Sequence, residues 1–385
     1  MKRRAVLFAA GFCMQVFSVT TQAYVGLCCG KCGGNMPMNI PGGGVPETKE
    51  FRIKASTMFM QMKGLQDRGD DLASRDLLGM PAMGKFMAVP TRMDMRMFNL
   101  TLGYSFSDDF FGGVMLMHKE NRMDMKFNTT MQGITGESGF IMESTGVADT
   151  MLMGKYRLFA DDPLIPTRQA SLFFGLSLPT GSIDKKNGDH PLSIRKTEQL
   201  PYSMQLGSGT FDPSLGILYQ ASNSPYWWGA NALYTARLYD NDRDYRLGNE
   251  LKIDLYGMYQ FRYDLLGQIQ LNGKHWGRIK GEMDESKSGE SGRVIKNDPS
   301  SPYMTPLWDP DNYGGTALMA TLGLQWQPAP LHIIDFNIGV PLYQRLNGPQ
   351  LEEKYRVMLT WYVEFPTRSS IRYLKRKTEP SRLGF

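Results

Sequence analysis

Thioethers are the most abundant chemically distinctive groups in this sequence. Twelve of its 27 methionines recur at alternate positions in four rows. Met58, Met60 and Met62 form one row, Met93, Met95 and Met97 a second, Met115, Met117, Met123 and Met125 a third, and Met151 and Met153 a fourth. A thioether is a soft ligand suited to Cu(I). It is also a flexible apolar surface that accommodates varied organic molecules. The rows therefore read in three ways: as packing of an interior, as a path for apolar solutes, or as contacts for a soft metal.

A second group lies near the N-terminus, where Cys28-Cys29-Gly30-Lys31-Cys32 is followed by Met36 and Met38. In an oxidising compartment a disulfide involving Cys32 is the plain structural expectation. With Cys13 expected to be removed by processing, the three cysteines of the mature chain cannot all pair within it, so one thiol is left to ligate a soft metal with Met36 or Met38, or to bond another protein. Cys28, Cys29, Cys32, Met36 and Met38 are thus the candidate metal ligands, with Cu(I) the one cofactor in question. Catalysis is not expected, because His118, His190, His275 and His332 have no evident nucleophile to serve as a base.

The rows acquire meaning from the elements that carry them. From residue 50 onward, segments of period-two alternation recur between turn residues, as in a transmembrane barrel whose lipid-facing and lumen-facing residues alternate. About twelve strands are predicted, over 50–62, 87–105, 110–127, 146–159, 168–181, 209–220, 225–239, 245–260, 265–280, 313–327, 331–345 and 354–365. Short connections at 107–109, 223–225, 262–264 and 328–330 alternate with mostly longer ones, the asymmetry of periplasmic turns and external loops. An even strand number puts both barrel ends in the periplasm.

Strand parity then assigns faces. Phe51, Ile53 and Ala55 mark a lipid face that leaves Met58, Met60 and Met62 inside. Phe98, Leu100, Leu102 and Tyr104 do the same for the second row, Phe110, Val114 and Leu116 for the third, and Leu152, Tyr156 and Leu158 for the fourth. Four strands agreeing in phase is about a one-in-sixteen coincidence on a two-sided strand. All twelve methionines are therefore expected to line the lumen. Glu250, Lys252, Asp254, Gln268, Gln270, Asn272 and Lys274 are expected opposite them. Asp94, Arg96, Glu120 and Arg122 fall on the outer parity, above the hydrocarbon band.

A soluble β-sandwich would alternate too. However, Tyr104, Tyr156, Tyr219, Trp228, Trp326 and Tyr355 lie near predicted strand ends on the apolar parity, as interface girdles require. The last predicted strand has Tyr355, Val357, Leu359, Trp361, Val363 and Phe365 on one face, and it resembles the terminal signal read by the barrel-assembly machinery. It departs from that signal in carrying 20 further residues.

Processing signals agree with export. Met1 to Arg4 are basic, Ala5 to Val19 are mostly apolar, and Thr21-Gln22-Ala23 suits cleavage, so residues 1–23 are expected to be a signal peptide. Beyond it, no stretch approaches the roughly 18 apolar residues of a membrane helix. The expected organisation is a Cys/Met/Gly-rich segment at 24–49, a barrel at 50–365 and a basic tail at 366–385. The glycine run at 42–44 is either a flexible periplasmic lead or a plug within the barrel. The net charge of +5 partly reflects the tail, read as solvated or touching anionic lipid. An exported chain is not expected to meet nucleic acid. Its partners would be the bilayer and its lipopolysaccharide, a small solute, and a periplasmic protein docking through residues 24–49.

Three short motifs, Gly146-Val147-Ala148-Asp149-Thr150, Leu178-Pro179-Thr180-Gly181 and Leu206-Gly207-Ser208-Gly209-Thr210-Phe211-Asp212, resemble those of a family of outer-membrane transporters that includes proteins linked to phenol degradation by the meta-cleavage pathway. The resemblance implies a barrel and a transport role. Together with the lumen composition it leads to the expectation of a passive bacterial outer-membrane channel for small apolar or aromatic solutes. The alternatives are a soft-metal barrel and a structural barrel that docks a partner.

Overall fold

The computed structural model describes residues 36–43, 45, 48–162 and 166–370. The expected signal segment at 1–23, Cys28, Cys29 and Cys32, and the tail from residue 371 lie outside the described residues.

Twelve antiparallel strands close a single barrel: β1 (Glu50–Asp67), β2 (Ala88–Ser105), β3 (Phe110–Phe127), β4 (Thr150–Ala160), β5 (Arg168–Leu178), β6 (Asp212–Asn223), β7 (Tyr226–Thr235), β8 (Glu250–Arg262), β9 (Leu265–Trp276), β10 (Gly315–Ala329), β11 (His332–Leu346) and β12 (Gln350–Pro366). Each strand pairs with its sequence neighbour, and β12 returns to β1 with Phe51 opposite Phe365 and Arg52 opposite Glu364. Closure leaves no strand edge to satisfy within lipid, where an unpaired backbone group costs several kcal/mol. An additional outer strand, Gly139–Val147, extends β3 past the end of β4.

The alternation places apolar side chains on the outside. Leu152, Phe174, Ile217, Leu255, Ile269, Leu322 and Leu359 are exposed, as a lipid belt requires. Tyr156, Tyr219, Trp228, Trp326 and Trp361 are exposed on the same outer face. On the opposite parity, Ser56, Ser171, Asn231, Gln270, Thr321 and Thr360 are buried, giving an interior that is polar where it is not thioether.

The connections at the two ends differ. Short turns join β2 to β3, β6 to β7, β8 to β9 and β10 to β11, whereas the segments 68–87, 128–149, 179–211, 236–249 and 277–314 are long. Three of the long ones fold over the barrel mouth as a cap, with a core of Tyr202, Tyr245, Ile279, Met283 and Trp308. Arg195 Nη1 and Nη2 donate to the carbonyls of Arg293 and Val294 at 3.0 and 2.7 Å. Tyr202 accepts the backbone N–H of Met283 at 3.0 Å. Loop backbone away from a ladder still needs partners, and here the loops supply them to one another.

Candidate functional site

At the turn-side half of the barrel the lumen is filled by the chain's own residues 36–43. Met36, Met38 and Ile40 bury fully among inward side chains that include Phe173, Leu218, Trp227, Tyr256 and Leu266. Their alternate spacing sends three apolar side chains into the wall while the carbonyls between them look for donors. The donors come from the lumen. Arg52 Nη1 donates to Gly43 O at 2.8 Å, Lys54 Nζ to Met38 O at 3.0 Å and Gln325 Nε2 to Met36 O at 3.2 Å. Asn39 and Gln270 exchange amide hydrogen bonds at 2.9 and 3.0 Å. Gly42 has φ +78°, and a Cβ there would approach Leu218 to 2.9 Å, so the turn both needs and is shaped for glycine. Residues 36–43 thus sit as a plug in the lumen. Met36 and Met38 face lumen side chains, with the Lys155 ammonium 3.9 Å from the Met36 sulfur.

Above the plug, the four methionine rows lie on inward positions. Met58, Met60, Met62, Met95, Met97, Met115, Met117, Met151 and Met153 are half-buried, while Met93, Met123 and Met125 are buried. Strand register sets them side by side. Met58 lies opposite Met97 and Met358, Met60 opposite Met95, Met62 opposite Met93, Met93 opposite Met123 and Met115 opposite Met151. Towards the cap the thioethers merge with Met87, Met131, Met142, Met204 and Met304 into one cluster, which joins the wall to the loops. Met87 and Ala88 donate their N–H groups to Met304 O at 2.9 and 3.1 Å.

Across the lumen, β8 and β9 carry a polar ladder. Lys252 and Lys274 both reach Glu250, at 2.6 and 2.7 Å, and Asn272 donates to Asp254 at 2.7 Å. On β12, beside the methionines of β1, Arg356 holds Glu353 with two bonds of 2.6 and 2.7 Å. The Lys252 and Lys274 side chains point inward yet remain about 40% exposed, so a water-accessible space lies between the plug and the cap. One of its walls is thioether and the other is charged and balanced.

The three short motifs picked out in the sequence converge at the cap-side rim. Asp149 Oδ1 accepts the N–H of Gly181 at 2.9 Å, and Asp149 Oδ2 accepts the N–H and hydroxyl of Ser208 at 2.7 and 2.9 Å. Ser208 and Thr210 are bonded to Asp212 at 2.7 Å each, and Arg237 closes the network on Asp212. Both ends of the 179–211 loop are thereby fastened to the start of β4. The motifs are visible in sequence, but their meeting point depends on the barrel register.

Two features escaped sequence reasoning. His190, in the 179–211 loop, is fully buried. Arg52 is 1% exposed and lies over the Phe111 ring at 4.2 Å. Its position two residues into the first strand gave no sign of a role in holding the plug.

The model of the family described as "Putative MetA-pathway of phenol degradation" matches residues 96–292, just over half of the chain. Among solved structures, the COG4313 outer membrane channel from Pseudomonas putida F1 is similar over 84% of this chain and 97% of that one, with a TM-score of 0.51 and 12% identity. A deltaS2 mutant of the TodX monoaromatic hydrocarbon channel scores 0.41 at 9% identity, over 83% and 91% of the two chains. A Pseudomonas aeruginosa FadL homologue scores 0.38 at 10% identity, over 83% and 90%. No curated protein matches the sequence. The likeness to the Pseudomonas putida channel is one of fold, and the closed barrel with its apolar belt is that of a bacterial outer-membrane protein.

Proposed function

This chain belongs to the MetA-pathway phenol-degradation family, and from that premise we propose that it is a passive outer-membrane channel for small apolar or aromatic solutes. The observation that carries the reading is the two-sided lumen between plug and cap. Met58, Met97, Met115, Met151 and Met358 offer an adaptable apolar surface, because an unbranched thioether with three rotatable bonds moulds to many shapes. The ladder from Glu250 to Lys274 keeps the same space hydrated, so a solute slides along one wall without being sealed in. Passage then requires the 36–43 segment to give way. Its hold combines hydrogen bonds, each worth about 0.5–1.5 kcal/mol net, or about 1.5–3 when a charged group donates, with the burial of Met36, Met38 and Ile40, about 1.5–3 kcal/mol for each side chain.

The test is solute flux into liposomes carrying the folded protein, with phenyl glucoside compared against glucose, since bilayers exclude both. Faster entry of the larger, aromatic solute is expected, with a further rise in Lys54→Met/Gln325→Leu, which loses two donors to the plug. Entry ordered by size alone, or none, would sink the proposal.

A further inference from the structure

Every methionine of the barrel strands and of the outer strand lies on the inner parity. The apolar positions facing lipid are filled by Leu, Ile, Val, Phe, Tyr and Trp instead. Methionine used only as apolar filling would have no reason to avoid the lipid face, so the interior selects for sulfur or for flexibility. One place in the wall favours sulfur. Met62, Met93, Met123 and Met142 stand directly opposite one another on four adjacent strands, and Met60 and Met95 form the next rung. Met62, Met93, Met95, Met123 and Met142 belong to one contact cluster.

Strands about 5 Å apart, with same-face residues about 7 Å apart along each strand, put a point about 2 Å above the centre of the Met60, Met62, Met93 and Met95 rectangle about 4.7 Å from each Cβ. Each sulfur is two bonds beyond its Cβ, so several can converge at the metal–sulfur distance of about 2.3 Å. Met60, Met62 and Met95 are half-buried towards the lumen, which leaves an ion a way in. Hard donors do not compete. Among the described residues no group of three or more His, Cys, Asp or Glu could hold a metal ion. The nearby Glu353, opposite Met62, is held in both its oxygens by Arg356.

We propose that Met60, Met62, Met93 and Met95, with Met123 on the same rung, form a binding site for a soft monovalent cation, Cu(I) or Ag(I), inside the barrel. Thioethers alone select such ions over Mg, Ca and Mn, which prefer oxygen. Thioethers also take up no proton, so affinity is independent of pH where histidine and carboxylate sites weaken on acidification. The site stands whether or not the lumen conducts aromatic solutes.

The experiment is an Ag(I) titration of the full-length, detergent-folded protein carrying Cys28→Ser, Cys29→Ser and Cys32→Ser, so that thiols do not contribute. Binding with equal affinity at about pH 5 and about pH 7.5 is expected, falling about tenfold or more in Met62→Leu/Met93→Leu/Met95→Leu. The Met115→Leu/Met117→Leu control should leave it unchanged. Leucine conserves volume, and X-ray absorption of the silver-loaded parent gives a reading independent of any methionine variant, with a shell of sulfur expected around the ion. Absence of binding, binding undiminished in the triple leucine variant, loss of affinity in acid, or a nitrogen and oxygen shell would each overturn the proposal.

Discussion

His190 shows how a single residue in a loop can set the behaviour of the cap. Its ring packs edge-on against Phe140 and Phe127, with centroids 4.5 and 6.0 Å away, and its Nδ1 accepts the N–H of Leu192 at 3.1 Å. Burial, and secondarily the charge of Arg195, push its pKa down to about 4. A free histidine titrates near 6.5, so the docked loop disfavours the protonated ring. The contribution of His190 to docking is therefore complete above about pH 6.5 and is lost as pH falls towards about 4. Amide exchange of residues 187–200 should accelerate over that window, and His190→Phe should flatten the dependence. Exchange that ignores pH in the parent would refute the account. The sequence alone could not show the burial of His190, because Phe127 and Phe140 reach it from strands 50 or more residues away. The methionine phases were legible for the opposite reason. Alternation is local to a strand, so Phe51, Ile53 and Ala55 suffice to orient Met58, whereas the rung that aligns Met62 with Met93 and Met123 exists only once register is set.

Between the residue and the barrel stands the clasp that ties the 179–211 loop to the rim. A Cβ on Gly207 would come within 2.4 Å of Asp149 Oδ1 and 2.5 Å of Gly181 O, contacts that require movement of backbone. Gly207→Ala should therefore cost about 1–3 kcal/mol as an overpacked site. Asp149→Ala should cost at least as much, since it strands the N–H groups of Gly181 and Ser208. The expected result in both is a loop that proteases cut, on a barrel that still runs as a folded species in unheated gels. A barrel that unfolds along with its loop would instead make the clasp part of the wall. Strands were readable at this scale and their capping was not. The predicted 110–127 segment coincides with β3, while the predicted 146–159 strand gives way to the outer strand Gly139–Val147 and β4. Gly146, at φ +147°, and the Ala148-Asp149 break separate the two, at a point where the sequence alternates almost without interruption. The cap has no periodicity to detect, because its core is built by loops packing on loops.

For the molecule as a whole, the position of the membrane follows from where outward charge begins. In the strand register Asp94 stands beside Arg122 and Arg96 beside Glu120, and Arg122 is ion-paired with Glu143. All five project outward just above Phe98. Exposed pairs of this kind add little stability, about 0–1 kcal/mol each, but they mark solvent, since a barrel does not spend charges on hydrocarbon. β2, β3 and the outer strand therefore rise past the lipid as a polar collar beneath the cap, with Leu322, flanked by Ile269 and Ile338, deep in the belt below. The cost of an arginine on the lipid face should follow this depth. Leu322→Arg is expected to destabilise by about 2–4 kcal/mol and Phe98→Arg by about 0–1 kcal/mol, measured by denaturant unfolding from lipid vesicles. Equal costs at the two positions would mean that the belt lies elsewhere. The methionine cluster, which sits at the height of the collar on the inner side of the same wall, would then be surrounded by lipid and not by water. If the gradient holds, the thioethers stand in the part of the lumen first reached from outside the cell.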